Sequence, residues 1–171
     1  SRFGVEDFDF KFYNKTPFSG LETNIANAYA NSYLQALHYC GAIRAFATDH
    51  LRMPCSDNEC LLCEAGFLFR MLDDAKGANC QASNFLRTFS LSPSASALGL
   101  LDSSAGGAPY SQLVQGLNHF LLENMSQSAS RTPLRTNPCE WAAEAHSVCL
   151  VCGAEAHKQL TARVVDLIYQ R

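Results

Sequence analysis

Apolar side chains recur at helical spacing through most of this chain and turn strand-like near its end, and that change of period constrains the fold most. From Ala28 to about Phe46, Tyr29, Tyr33, Leu37 and Ile43 lie near one stripe with Leu34 beside it, as in a helix with one buried face. Asn24 and Asn27 are candidates for its N-cap. A loop from His50 to Asn58, broken by Pro54, leads to a second helix from about Glu59 to Ala75. There Leu61, Leu62, Ala65, Leu68, Phe69 and Leu72 repeat at i, i+3, i+4 and i+7, and Gly77 closes the helix. A shorter helix is expected from Ala82 to Phe89, and another from about Ser111 to Met125.

The remaining stretches read as connections or strands. Residues 1–19 carry Phe8, Phe10, Phe12, Tyr13 and Phe18 mostly on alternate positions, which predicts an extended arm lying on the core. Residues 20–125 form the helical part. Asp102 to Pro109, rich in Ser and Gly, reads as a surface loop, and 126–138, polar with two prolines, as a mobile one. In 139–171, Val148 to Val151 and Ala162 to Tyr169 read as strands of a hairpin around Cys149-Leu150-Val151-Cys152-Gly153. Helices first and strands later predict an α+β fold.

Composition narrows the function. With 171 residues the chain suits one domain. No apolar run reaches the ~18 residues that span a bilayer, no membrane role is expected, and no signal peptide is visible. The first residue, Ser1, hints at a piece of something longer. The net charge of −3, with 13 scattered basic residues, argues against a strand-tracking nucleic-acid groove. Eight cysteines, two pairs of them as CxxC, suit metal ligation in a reducing compartment better than bridging. The expected location is intracellular.

The segment Gly20 to Leu37 carries the chemistry. It reads G-L-E-T-N-I-A-N-A-Y-A-N-S-Y-L-Q-A-L and resembles the cysteine box of ubiquitin-specific proteases, G-L-x-N-x-G-N-T-C-Y-M-N-S-x-L-Q, without a gap. Gly20, Leu21, Tyr29, Asn31, Ser32, Leu34 and Gln35 match. The resemblance puts Ala28 at the nucleophile, Ala26 at the asparagine that helps stabilise the oxyanion, and Ile25 at a flexible glycine. A methyl group forms no thiolate, the attacking species, and loss of one oxyanion donor costs about 10²–10³ in rate. No catalytic residue is therefore assigned. His38, His119, His146 and His157 offer no Gly-His-Tyr-like context for a base.

The resemblance narrows further on Cys60-Leu61-Leu62-Cys63-Glu64-Ala65-Gly66, on Cys80-Gln81-Ala82-Ser83-Asn84-Phe85, and on Ser94-Ala95-Ser96-Ala97-Leu98-Gly99-Leu100. These are similar to the inactive ubiquitin-hydrolase-like domain in the catalytic subunit of the poly(A)-nuclease deadenylation complex. The resemblance implies part of a papain-like ubiquitin-specific-protease fold: an N-terminal helical subdomain, then a β finger and palm hairpin. It implies a scaffold that positions a neighbouring exonuclease shortening mRNA poly(A) tails, with a WD40 propeller in the parent chain and a regulatory pseudokinase subunit as partner. The exonuclease would use divalent metal through carboxylates absent from this chain; Asp73 and Asp74 read as solvated helix ends. The cytoplasm, including P-bodies, is the implied location. The alternative is a ubiquitin-binding or residual cysteine-hydrolase domain, with Cys40 or Cys55 as nucleophile.

Two cysteine sets could hold zinc. Cys149-x-x-Cys152-Gly153 resembles the first knuckle of the protease family's zinc ribbon, whose other CxxC would lie beyond Arg171. His50, Cys55, Cys60 and Cys63 make a second set, H-x4-C-x4-C-x2-C. For that set the preferred reading is small buried side chains, because Cys60 and Cys63 also fall at i, i+3 on a helix, and zinc is the alternative. Cys40, Cys80 and Cys139 read as core or surface thiols. An open strand edge at Val164 to Tyr169 is expected to make residues 1–171 poorly soluble when isolated.

Overall fold

Buried apolar stripes bring a set of helices onto one core, and a hairpin stands off it. The computed structural model describes residues 10–104, 106–131 and 136–165. Its elements run α1 (Phe10–Tyr13), a 3₁₀ turn (Ala28–Ala30), α2 (Asn31–Tyr39), α3 (Gly41–His50), α4 (Leu61–Asp74), α5 (Ser83–Leu91), α6 (Pro93–Ala97), α7 (Tyr110–Ser130), β1 (Trp141–Val148) and β2 (Glu155–Ala162). The α+β order holds.

The helix expected from Ala28 to about Phe46 is a 3₁₀ turn and two helices. Cys40 is extended, with φ −76° and ψ 99°, and ends α2. Its N–H still donates to the Ala36 and Leu37 carbonyls, both at 3.1 Å, while its own carbonyl accepts from Arg44 N–H at 2.9 Å and starts α3. The apolar period survives the bend because both helices face the same core. Asn27 sits at the N-cap position of the 3₁₀ turn but makes no side-chain cap bond, and the N-cap of α2 itself is Ala30, also without one.

α3 and α4 lie closest where Gly66 meets α3. A Cβ on Gly66 would stand 2.5 Å from the Ala47 carbonyl oxygen and 2.8 Å from Leu51 Cγ. Around this contact Leu34, Leu62, Phe69, Phe89, Leu117, Leu121 and Met125 are fully buried. Asp73 is more than a solvated helix end: its carboxylate meets His38 Nε2 at 2.9 Å and the Arg44 guanidinium at 3.4 Å, tying α4 to α2 and α3. As expected, Gly77 turns the chain after α4, at φ +91°.

Three other expectations change. Residues 1–9 of the proposed extended arm lie outside the described residues, and Phe10–Tyr13 is a helical turn. The chain after it is strapped down: Gly77 N–H donates to Ser19 Oγ at 3.0 Å, and Leu21 bridges Cys80 in parallel. The mobile loop expected over 126–138 begins as helix, because α7 continues to Ser130 and buries Ser126 and Ala129. The strands of the hairpin are Trp141–Val148 and Glu155–Ala162, antiparallel, with Trp141 opposite Ala162 and Val148 opposite Glu155. The expected β runs overlap these strands only at one end each: Val148 ends β1 while 149–151 form the start of the turn, and Ala162 ends β2 while 163–165 are not strand and 166–169 lie outside the described residues. Both strands are exposed over nearly their whole length, so their sequences carry no alternating apolar signal.

Candidate functional site

Residue 28 begins the 3₁₀ turn that feeds α2, and the preceding backbone is sharply folded to present it. Asn27 holds φ 61° and ψ 20°, in the left-handed region, and its carbonyl accepts from Ala30 N–H at 3.1 Å. Asn is one of the few residues other than Gly that tolerates this conformation. What the turn presents is the methyl group of Ala28, with Ala26 exposed two residues earlier. Neither side chain can attack a carbonyl or donate to an oxyanion.

Asp102 occupies the polar groups beside the turn. Its carboxylate accepts from Asn27 N–H at 2.5 Å, and its own N–H donates to Asn27 Oδ1 at 2.7 Å. Asn27 Nδ2 donates onward to Ser90 Oγ at 2.9 Å. A site for a developing oxyanion needs free donors; here the N–H just before position 28 is spent on an anion. Burial, then the Asp102 charge, pushes the Tyr29 phenol up to about 12. Asp102 lies 75 residues away in sequence, so nothing local in the chain could have announced it.

The matched motif residues are engaged in structure. Tyr29 donates to the Leu100 carbonyl at 2.6 Å and Asn31 to the Glu22 carbonyl at 2.8 Å. Gln35 reaches the Ser19 carbonyl at 3.5 Å, and Leu34 is fully buried. These bonds fasten α2 to the strap at 19–22 and to the segment before Asp102.

Among the other thiols, Cys60 alone has a histidine bond among the described residues: its Sγ lies 3.4 Å from His50 Nε2. Both are buried, and burial pushes the Cys60 thiol up and the His50 imidazole down. An activated nucleophile needs the opposite shift and access for substrate. Cys55 and Cys63 join this pair, so the four residues of the second zinc set form one His/Cys cluster that could hold a metal ion. Cys149 and Cys152 sit apart, exposed in the hairpin turn. Gly153 closes that turn at φ +69°, its N–H donating to the Cys149 carbonyl at 2.9 Å. The backbone N–H groups of Cys152 and Val151 lower the Cys149 thiol. A further exposed group, His146, Glu155 and His157, comes from facing strand positions with no sequence spacing to reveal it.

The sequence pattern of ubiquitin carboxyl-terminal hydrolases matches residues 19–171. The chain belongs to this family. Among its curated relatives, the catalytic subunit PAN2 of the PAN2-PAN3 deadenylation complex from Cryptococcus neoformans is 44% identical over 199 residues, covering 100% of this chain and 17% of the relative. This chain thus spans a small part of that protein. The solved Neurospora crassa Pan2 catalytic unit, a protease and nuclease domain, superposes with a TM-score of 0.82 at 36% identity, covering 99% of this chain and 31% of that one. The Saccharomyces cerevisiae PAN2 pseudoubiquitin-hydrolase superposes at 0.58 with 25% identity, covering 94% and 42%. The hydrolase-like fold expected from the cysteine box is therefore the fold of this chain.

Proposed function

We propose that these residues form a catalytically inactive ubiquitin-hydrolase-like scaffold within a poly(A)-specific ribonuclease subunit. The observation that carries this reading is alanine at position 28, at the start of the 3₁₀ turn where the family's cysteine box has its nucleophile. Ala26 and the Asp102 carboxylate beside it support the same conclusion. The relatives named above act in deadenylation, and by analogy the parent of this chain shortens mRNA poly(A) tails with a 3′-to-5′ exonuclease that holds its own divalent metal. The module then contributes position: it seats the exonuclease, the WD40 propeller and the regulatory pseudokinase subunit around poly(A) mRNA. Cytoplasm and P-bodies are the corresponding location. Structural zinc is the proposed cofactor of the module itself, with Cys149 and Cys152 as half of a zinc knuckle completed elsewhere in the parent.

The test restores the missing thiol. In the full-length parent, Ala28→Cys is expected to leave cleavage of a fluorogenic ubiquitin substrate at the level of the unmodified protein, with poly(A) shortening unchanged. A ubiquitin vinyl probe is expected to label no cysteine in either protein. Cleavage clearly above the unmodified protein, or a labelled native thiol, would overturn the inactive-scaffold reading.

A further inference from the structure

We propose that His50, Cys55, Cys60 and Cys63 hold a single structural zinc ion that pins the 51–60 loop to the start of α4. This site is separate from the hairpin thiols and does not depend on whether the module ever meets ubiquitin.

Convergence is the first ground. One ligand atom from each residue lies within 4.8 Å of all the others. In a tetrahedral zinc site, with Zn–S about 2.3 Å and Zn–N about 2.0–2.1 Å, neighbouring ligand atoms stand roughly 3.3–3.8 Å apart. The His50–Cys60 pair already has that spacing, at 3.4 Å. The rest of the set needs to contract by no more than about 1.5 Å.

Burial is the second. His50 is fully buried at the end of α3, its Nε2 faces only a thiol, and its Nδ1 has no hydrogen-bond partner. A buried imidazole with so little bonding is destabilising. Coordination by the thiol-facing nitrogen gives the ring an interaction far stronger than S–H···N.

The third ground is the thiolate environment. Cys60 is the N-cap of α4, and its Sγ accepts from Cys63 N–H at 3.5 Å. A helix N-terminus with N–H groups aimed at sulfur stabilises thiolate. The Cys55 and Cys63 sulfurs lie within 4.8 Å of the Cys60 sulfur. On binding a divalent cation each thiol loses its proton to solvent as its sulfur bonds the metal, with no change of oxidation state. Cys55 comes from the 51–60 loop, Cys60 and Cys63 from the start of α4, and His50 from the end of α3, so one ion ties these three segments together.

The experiment measures zinc per chain in the full-length parent, with Cys149→Ser/Cys152→Ser as a background that removes the hairpin pair. On that background the expected zinc content is one ion per chain. Adding Cys55→Ser and Cys63→Ser, both at half-buried positions, is expected to bring it to zero. A second readout survives any folding defect of those variants. Cobalt exchanged into the hairpin-variant background is expected to show the intense sulfur-to-cobalt absorption of a tetrahedral thiolate site. Zinc absent from that background, zinc content unmoved by the added substitutions, or a cobalt spectrum without thiolate bands would each overturn the proposal.

Discussion

At Asn27 one side chain holds two segments that are distant in sequence. It accepts from Asp102 N–H, donates to Ser90, and itself sits at a positive φ. Asn27→Ala removes those bonds and places a plain Cβ in the left-handed region. The expected loss is about 2–5 kcal/mol, from roughly 1–3 for the orphaned polar partners and 1–2 for the backbone. Asn27→Gly loses the same bonds but not the backbone preference, so it is expected to be about 1 kcal/mol milder. Urea midpoints of the two variants check this; equal losses would show that backbone strain plays no part. The same neighbourhood predicts an alkaline limit. Tyr29 ionises near 10 when unfolded but only at about 12 in the folded protein. The folded state therefore binds more protons between these values, and stability falls as pH rises through that window. Tyr29→Phe is expected to flatten this fall in melts taken across the window, and an unchanged slope would contradict the shift. Ala28 and Ala26 were legible in the sequence because their effect depends on atoms they lack. Asp102 was not, because its role depends on a fold that brings residue 102 to residue 27.

Among the elements, α3 and α4 are set by their closest point. Ala in place of Gly66 would gain about 1 kcal/mol of helix propensity. It would also put a methyl against backbone at Ala47, which cannot move as a side-chain tip can. Overpacking of this kind costs about 1–3 kcal/mol, and backbone contact belongs at the upper end. Gly66→Ala is therefore expected to lower stability by about 1–2 kcal/mol net, measured by thermal or chemical denaturation; a stabilised protein would mean α3 can slide away. Helix positions were readable along the chain because α4 and α7 bury one stripe each. The break at Cys40 was hidden because the stripe runs on across it. The hairpin strands were misplaced because exposure removes the alternation on which a strand reading depends, leaving only the CxxC turn and Gly153 as signals.

For the whole molecule, the question is how an exposed hairpin stays attached to a helical body. Cys139 is buried at its root, and Glu140 accepts from Ser126 on α7 at 2.6 Å while pairing with Arg163 at 3.3 Å. Glu140→Ala removes the bond to α7 and the ion pair that joins the two ends of the hairpin, and leaves the Ser126 hydroxyl with Asn137 as its remaining partner. Hydrogen exchange is expected to speed up several-fold in β1 and β2 while α3, α4 and α7 keep their protection, since local opening follows the weakest attachment. Faster exchange across the helices instead would show that the hairpin root supports the entire core. The sequence by itself determined the family, the alanine at position 28 and the helical stripes, because each is written in residue identity or in spacing along one element. Tertiary structure alone decided that Asp102 bonds the turn before position 28. It also decided that Glu140 ties the hairpin to α7. These are contacts between segments, and no local period or motif records which segment a side chain will meet once the core has closed.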